Sequence, residues 1–218
     1  MRNKKKKITV AIDSPAAAGA GTQAKLIAKE YNLFQLDTGR IYRLIGKMRL
    51  DNPKTFNYKN IKKRVKRLKI KDLQNKKLLS DRVAISASII AKNKKIRKIV
   101  HQFQVRMAYS PPKKFSGSVL DGRDITSIIL KDAMFKFFIT ANINTRAKRR
   151  FKEYKKQNKK ISFNEVLKNL KNRDKSDRTR KFGPLKKTKD SILINSTKLS
   201  RRQCFLKIKA IMDRKLYY

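Results

Sequence analysis

Side chains that support disulfide and metal chemistry are almost missing from this sequence. Its 218 residues include no tryptophan, one cysteine (Cys204) and one histidine (His101). One cysteine excludes a disulfide scaffold, and one histidine nearly excludes the metal sites and catalytic triads that depend on histidine. We expect Cys204 to be a small buried residue on the last helix, and His101 to lie on a helix surface.

Long hydrophobic runs are missing as well. No segment approaches the ~20 apolar residues that a membrane-spanning helix needs. A basic lead-in, residues 1–7, precedes a short apolar run from Ile8 to Ile12 that stops at Asp13. This run is far shorter than the core of a secretory signal. The sequence therefore predicts a cytoplasmic protein that does not associate with membranes.

Acidic residues are scarce: 60 lysines and arginines stand against 15 acidic residues, which gives a net charge of +45. Such a charge favours anionic ligands and often indicates nucleic-acid binding. The lysines are spread over the whole chain, however, together with many asparagines and isoleucines. This pattern is typical of a bias toward AT-rich codons. We therefore favour solvated faces and small anionic ligands, and keep contact with nucleic acid as the alternative.

Short apolar strands and helical patterns alternate along the chain. The strands are predicted around Val10, Leu36, Leu120, Phe137 and Leu193, and the helices between them carry apolar residues at helical spacing. This alternation predicts an α/β protein with a five-stranded parallel sheet flanked by helices. In such sheets ligands bind beyond the carboxyl ends of the strands.

Two stretches are predicted to lie outside this sheet. The lysine-rich stretch 51–75 has few apolar residues and includes Pro53, so we expect a peripheral insertion that adds nothing to the core. Charged helices are predicted over 145–156 and 162–173, the second opened by a capping box of Ser162 and Glu165. Residues 173–185 are predicted to form a charge-dense loop. No internal repeat is present, so a single domain over 1–218 is expected.

A loop of small residues follows the first strand. Residues 16–21 read Ala-Ala-Ala-Gly-Ala-Gly, and Thr22 opens the next helix. The order of strand, small-residue loop and helix resembles a phosphate-binding loop, in which backbone N–H groups face an anion. The loop does not match the Gly-x-x-x-x-Gly-Lys-[Ser/Thr] pattern, because Ala20 stands where the lysine is expected. Taken alone, it is weak support for nucleotide binding.

Five motifs in order carry a more specific likeness. They are Ala11–Thr22, Leu36–Arg43, Ala87–Ala91 continuing to Ile96-Arg97, Asp121-Gly122-Arg123-Asp124, and Arg173-Asp174 with Asp177, Arg180 and Pro184-Leu185. Together they resemble the bacterial cytidylate kinase family of P-loop nucleoside monophosphate (NMP) kinases over most of the chain. The resemblance implies transfer of the γ-phosphoryl group of ATP to CMP or dCMP, with Mg²⁺ as cofactor.

The resemblance also implies which residues form the site. Those expected to hold ATP are Ser14, Pro15, Ala16, Ala17, Ala18, Gly19, Ala20, Gly21, Thr22, Arg146, Arg150 and Arg173. Those expected around CMP or dCMP are Asp37, Thr38, Arg43, Ser88, Arg97, Arg123, Asp124, Asp177 and Arg180. Arg123, Asp124, Asp177 and Arg180 are the expected catalytic residues, and no residue is assigned as a metal ligand. Residues 51–93 would be an NMP-side insertion and 146–185 a lid region.

The implied chemistry suits the residues present. A phosphate oxygen attacks in already ionised form, so positioning and charge stabilisation are enough and no strong base is needed. The largest departure from the family is Ala20, since losing one preorganised charge of this kind costs on the order of 10²- to 10³-fold in rate. We expect a lid arginine, rather than Lys25, to replace that charge. Ser14 and Ala17 replace glycines, at about 1 kcal/mol or more wherever φ must be positive.

Alternatives remain open at this point. The chain could be a catalytically weakened nucleotide-binding module, or a basic nucleic-acid-associated protein on a kinase scaffold; we favour an active, monomeric kinase. Asp13 could orient the loop or a water near Mg²⁺. Simpler structural roles are Asp37 as a helix cap, Arg43 on a solvated helix face, Arg123 and Asp124 as a mutual pair, Asp177 and Arg180 as an exposed loop pair, and Arg146 and Arg150 as solvated basic residues.

Overall fold

The computed structural model describes residues 7–217, so the first six residues of the basic lead-in and Tyr218 lie outside the described residues. Its strands are β1 (Ile8–Asp13), β2 (Leu33–Asp37), β3 (Gly117–Gly122), β4 (Phe135–Thr140) and β5 (Ile192–Asn195). They form one parallel sheet in the order β2-β3-β1-β4-β5. All five residues around which strands were predicted fall on this sheet, which confirms the predicted fold class.

Within residues 7–217, eight α-helices surround the sheet. They are α1 (Ala20–Glu30), α2 (Thr38–Asp51), α3 (Tyr58–Lys66), α4 (Asp81–Ile90), α5 (Lys94–Tyr109), α6 (Ile143–Lys156), α7 (Phe163–Thr179) and α8 (Arg201–Tyr217). Short 3₁₀ turns span Pro53–Thr55, Ile70–Gln74 and Lys76–Leu79, and a π-helical turn spans Ile125–Ile129. Among residues 7–217, no helix has the length and hydrophobicity needed to cross a membrane.

Alternate residues of the strands point into two cores, one on each face of the sheet. On one face, Ala11 and Leu120 pack against helices α2 to α5. On the other, Val10 and Phe137 pack against α1 and α8, where Cys204 is buried as predicted. Because helices cover both faces, the central strands are apolar along most of their length.

The stretch 51–75 contributes to the core, so the expectation that it adds nothing there is wrong. Ile61 and Val65 of α3, together with Leu68 and Leu73, are buried in the cluster that includes α2. Ile61 and Val65 are four residues apart and share one face of α3. Few apolar residues are enough here because these four all lie on the side that packs against the rest of the protein.

Helix α7 is longer than the sequence suggested. The capping box of Ser162 and Glu165 opens it as predicted, but it continues to Thr179. The expectation of a loop over 173–185 is therefore wrong for its first seven residues. Asp177 is buried there among arginines, and these charge pairs replace the apolar contacts that helices usually bury.

Polar residues gather where the parallel strands end. The register places Asp13 of β1 opposite Gly122 of β3, and Asp37 of β2 opposite Asp121 of β3. Helices α6 and α7 pack on each other and extend their small apolar cluster to Ala16 in the loop after β1. The small-residue loop, the acidic strand ends and the charged helices therefore meet at one edge of the sheet.

Candidate active site

A cleft of about 990 Å³ opens at this edge, between α6 and α7 on one side and α2 and α4 on the other. Its volume is at the upper end of the range for small-molecule sites, roughly 300–1,000 Å³. Every site residue predicted from the sequence lines this cleft except Arg146. The structure thus brings together residues from five separate motifs.

The loop after β1 presents backbone rather than side chains to the cleft. Gly19 has φ 98° and is the N-cap of α1, and Ala17 has φ 60°. The first N–H groups of a helix have no partner within it, so the start of α1 is suited to an anion. Ala17 is thus a position where a Cβ is strained, whereas Ser14 has an ordinary negative φ.

Asp13, the residue immediately before this loop, is bonded to the turn that follows β3. Its buried carboxylate accepts hydrogen bonds from the N–H groups of Ile125 and Thr126 and from the Thr126 hydroxyl, at 2.6–2.8 Å. Burial raises the pKa of Asp13 to about 6, although these hydrogen bonds oppose the rise. These bonds tie the end of β1 to the π-helical turn after β3, and the roles considered for Asp13, orienting the loop or a water near Mg²⁺, stay predictions.

Arg146 and Asp174 hold the loop from the α6–α7 side. The Arg146 guanidinium donates to the Ala16 carbonyl at 3.1 Å and to Asp174 at 2.6 Å, while Asp174 accepts from the Ala16 N–H at 3.3 Å. Arg146 is buried, so its alternative as a solvated residue is wrong. It supports the loop backbone and does not line the cleft. Asp174 follows Arg173 in the sequence, but nothing in the sequence indicated its contact with Ala16.

Two buried carboxylates, Asp124 and Asp177, connect several arginines of the cleft. Asp124 bonds Arg97 directly and lies 3.7 Å from Arg180. Asp177 pairs with Arg123 at 2.8 Å and with Arg180 at 3.6 Å. The alternative of a mutual Arg123–Asp124 pair is therefore wrong, because these residues pair with Asp177 and Arg97 instead. Asp177 and Arg180 do pair, but the expectation that this pair is exposed is wrong, since both side chains are buried. This network joins α5, the end of β3 and the end of α7.

Gly183 packs directly against this network of ion pairs. It has φ 60°, and a Cβ there would fall 2.2 Å from Nη2 of Arg97 and 2.6 Å from Oδ2 of Asp124. Its carbonyl accepts from Arg180 at 2.6 Å. A glycine is therefore required for the chain after α7 to pass so close to the Arg97–Asp124 pair.

Two further cleft arginines, Arg173 and Arg43, carry charge that the protein neutralises less completely. Burial and repulsion by Arg123 lower the pKa of Arg173 to about 10, and its ion pair with Asp177 is a long 4.0 Å. Burial also lowers the pKa of Arg43, with a contribution from Arg150. Arg43 is half-buried and donates to the Leu78 carbonyl at 2.8 Å, so it is not on a solvated face. Gathered like charges of this kind favour a multiply charged anion.

The acidic side of the cleft lies beneath the start of α1. Asp37 occupies the N-cap position of α2, but its side chain makes no capping bond and instead pairs with Arg40 at 3.3 Å. Thr38 donates to the Asp121 carbonyl at 2.9 Å. Ser88 lies half-buried on α4 and lines the cleft. Asp37 therefore faces the cleft instead of acting as a helix cap.

Asp121 also lines the cleft, although the sequence did not single it out as a candidate site residue. Its buried carboxyl would lie 3.4 Å from a Cβ placed on Gly21, and burial together with nearby Asp37 raises its pKa to about 8. The sequence feature that could have identified Asp121 is its position at the carboxyl end of a buried strand, immediately before Gly122. Within residues 7–217 no cluster of three or more acidic, histidine or cysteine side chains could hold a metal. Mg²⁺, however, commonly binds through one or two carboxylates, waters and substrate phosphates, and Asp121 fits that pattern.

Comparisons with known proteins agree with this geometry. The family model described as cytidylate kinase matches residues 10–214. A cytidylate kinase from Bartonella tribocorum is 41% identical over 201 residues, 92% of each chain, and one from Clostridium botulinum strain Hall is 37% identical over 215 residues, 95% of this chain and 98% of the relative. A crystal structure of an uncharacterized protein from Eubacterium ventriosum shares the fold, with a TM-score of 0.57 and 17% identity over 95% of this chain and 99% of that one. The resemblance carried by the five motifs is therefore confirmed, and the chain belongs to the cytidylate kinase family.

Proposed function

We propose that the protein transfers the γ-phosphoryl group of ATP to CMP or dCMP. The observation that carries this proposal is the convergence of Arg43, Arg123, Arg150 and Arg173 on one cleft that also contains the start of α1. Phosphoryl transfer between two phosphates requires charge stabilisation and alignment rather than an acid–base pair. The names of the Bartonella and Clostridium relatives support the same reaction.

The donor nucleotide would occupy the side of the cleft formed by the loop. Backbone N–H groups of Gly19, Ala20 and Gly21 would hold its phosphates, because they stand at the positive end of the α1 dipole. Arg150 and Arg173 would meet the same phosphates from α6 and α7. The other residues assigned to this side are Ser14, Pro15, Ala16, Ala17, Ala18, Thr22 and, as a support of the loop, Arg146.

The acceptor would lie between α2, α4 and the Arg97–Asp124 pair. Arg43 and Arg123 would bind its phosphate, since a planar guanidinium can engage two phosphate oxygens. Arg97 and Asp124 offer a buried donor and acceptor to the polar edge of a pyrimidine. The other residues assigned to this side are Asp37, Thr38, Ser88, Asp177 and Arg180.

Asp121 would hold Mg²⁺, through water, at the start of α1. When bound, the ion neutralises charge on the transferred phosphates. The chain itself would contribute Arg173 on the other side, which replaces the charge missing at Ala20. Arg173 is suited to this role because its ion pair with Asp177 is long, at 4.0 Å, so its charge is available to a ligand.

We also propose that two regions of the single domain have different roles. Residues 51–93 would form the NMP-side insertion and residues 146–185 the lid region, which would exclude water when both nucleotides are bound. The protein would act as a cytoplasmic monomer on these small ligands. Ala20 is the one observation that favours the alternative, a nucleotide-binding module with weak turnover.

A coupled assay of ADP release with CMP, dCMP, UMP and AMP tests the proposal. CMP and dCMP should be preferred over AMP by a large factor. The reason is that the wrong base would leave polar atoms of the buried Arg97 and Asp124 without hydrogen-bond partners. Comparable kcat/KM values for AMP would overturn the assignment of the acceptor. Nucleotide binding without measurable turnover would instead support the weakened module.

A further inference from the structure

One carboxylate at the rim of the cleft joins its two walls. Asp81 is the first residue of α4, on the acceptor side. Its oxygens accept from the Tyr154 hydroxyl at 2.8 Å and from the Lys159 Nζ at 2.7 Å, and Arg150 Nη2 lies 3.8 Å away. All three partners belong to α6 or to the turn after it, on the donor side.

The aromatic ring of Tyr154 organises the same contact. The Arg150 guanidinium lies 4.5 Å and the Lys159 ammonium 4.8 Å from its centroid, both within cation–π range. Arg150 also pairs with Glu153 at 3.0 Å. The hydroxyl and ring of Tyr154 therefore place two cations beside Asp81, and one of these cations faces the phosphate side of the cleft.

Each of these contacts is weak when considered singly. The Asp81 side chain is 44% exposed, and ion pairs at such sites gain little because water competes for them. Partial burial would raise the pKa of Asp81, but the hydrogen bonds from Lys159 and Tyr154 outweigh it and hold the pKa below its ordinary value. Several contacts on one carboxylate act together, since all are lost when α6 moves away from α4.

We propose that Asp81 is a positioning residue that fastens α6 across the rim of the cleft and so keeps Arg150 directed at the phosphates. We call Asp81, Tyr154, Lys159 and Arg150 the rim clasp. Its kinetic consequence rests on the proposed phosphoryl transfer, whereas its structural consequence does not. When a binding-competent arrangement is only partly populated, apparent affinity falls by that fraction. Breaking the contacts of the rim clasp should therefore lower the apparent affinity for both nucleotides together.

Two substitutions, Asp81→Asn and Tyr154→Phe, test the rim clasp kinetically. We expect the KM values of ATP and CMP each to rise ~3- to 10-fold, with kcat changed less than about twofold, because the arrangement is less populated but unaltered once formed. Tyr154→Phe keeps the Asp81 charge at the start of α4, so it separates the clasp from a helix-dipole effect. Asp190→Asn, which removes a comparable exposed partner of Lys136, is the matched control and should leave both KM values unchanged.

Hydrogen exchange of the protein without nucleotide gives a readout independent of catalysis. Backbone amides of residues 155–161, which follow Tyr154, should exchange at least severalfold faster in Asp81→Asn and Tyr154→Phe than in the wild type or Asp190→Asn. Asp81→Glu should restore part of the protection, because it keeps the charge and the acceptor oxygens.

The outcomes separate the two proposals. Faster exchange in a protein that does not phosphorylate CMP would support the clasp and overturn the proposed function. Unchanged exchange in both variants would overturn the clasp, and so would a KM increase without faster exchange, since a lost charge alone explains that result. Far-ultraviolet circular dichroism of each variant verifies that it is folded.

Discussion

The two walls of the cleft differ in what they present to an anion. The loop wall, residues 14–22, has small side chains and offers the backbone at the start of α1. The opposite wall offers guanidinium groups from α2, the end of β3, α6 and α7, including Arg43, Arg123 and Arg173. The contrast predicts that the arginines of the facing wall supply the positive charge that the loop lacks at Ala20.

The two walls are also held in different ways. The loop is fixed through the main-chain groups of Ala16, by Arg146 and Asp174 beside it. The arginine wall is fixed through two carboxylates, Asp124 and Asp177, each shared among several arginines. Substitutions in the arginine wall should therefore have larger effects than substitutions in the loop.

The largest effect is expected for Arg173→Ala. We expect kcat to fall by about 10²- to 10³-fold, because arginines that meet the transferred phosphoryl group contribute this much or more in related reactions. The KM of ATP should change little, since the loop backbone still holds the nucleotide. Steady-state kinetics provide the measurement. Arg178→Ala, on an exposed position of the same helix, is the control, and an equal loss there would contradict the assignment.

Asp124→Asn should have the next largest effect. It leaves the buried Arg97 without its direct ionic partner, whereas Arg180 keeps Asp177, and breaking a buried ion pair in this way costs about 3–5 kcal/mol. Urea unfolding should report a lower midpoint, and the KM of CMP should rise. In the control Asp51→Asn, which removes an exposed partner of Lys47, the loss should stay within about 0.5 kcal/mol. An equal loss of unfolding free energy in both variants would show that the buried ion pairs stabilise the protein no more than an exposed one does.

Ala20→Lys adds the charge that the loop wall lacks. We expect kcat to change by less than about tenfold, because the proposed function assigns stabilisation of the phosphates to the facing arginines, and because Ala20 is buried in the core cluster that includes Ala18 and Ala24. The same coupled assay measures it. An increase of several hundredfold from a near-zero wild-type rate would show that the loop is deficient and that the weakened module is the correct description.

The smallest effect is expected for Ala17→Gly. With φ 60°, Ala17 carries a Cβ in the left-handed region, so glycine should stabilise the fold by about 0.5–1 kcal/mol. The measurement is the free energy of unfolding in urea. Ala18→Gly provides the contrast, because Ala18 is buried at negative φ and glycine there should destabilise by about 1 kcal/mol. If both changes destabilise, the loop strain has been misassigned.

Local patterns predicted some parts of this protein well. Strand positions such as Val10 and Leu120 were predictable because buried parallel strands are continuous apolar runs. The burial of α3 and the extension of α7 were not, since both depend on what packs against them. Asp177 illustrates the limit: in the sequence it is one charge among many, and only the fold places it between Arg123 and Arg180.

The contact of Arg146 and Asp174 with Ala16 has a consequence for how the two nucleotides bind. Both backbone groups of Ala16 are held by side chains from α6 and α7, the helices that also carry Arg150 and Arg173. A donor nucleotide that orders the loop would thereby stabilise the positions of those arginines, and the acceptor would then bind to an already ordered wall. Such coupling is reciprocal, so CMP must increase the affinity for ATP by the same factor by which ATP increases the affinity for CMP. The family's missing lysine would then be compensated by cooperativity between ligands as well as by arginine charge.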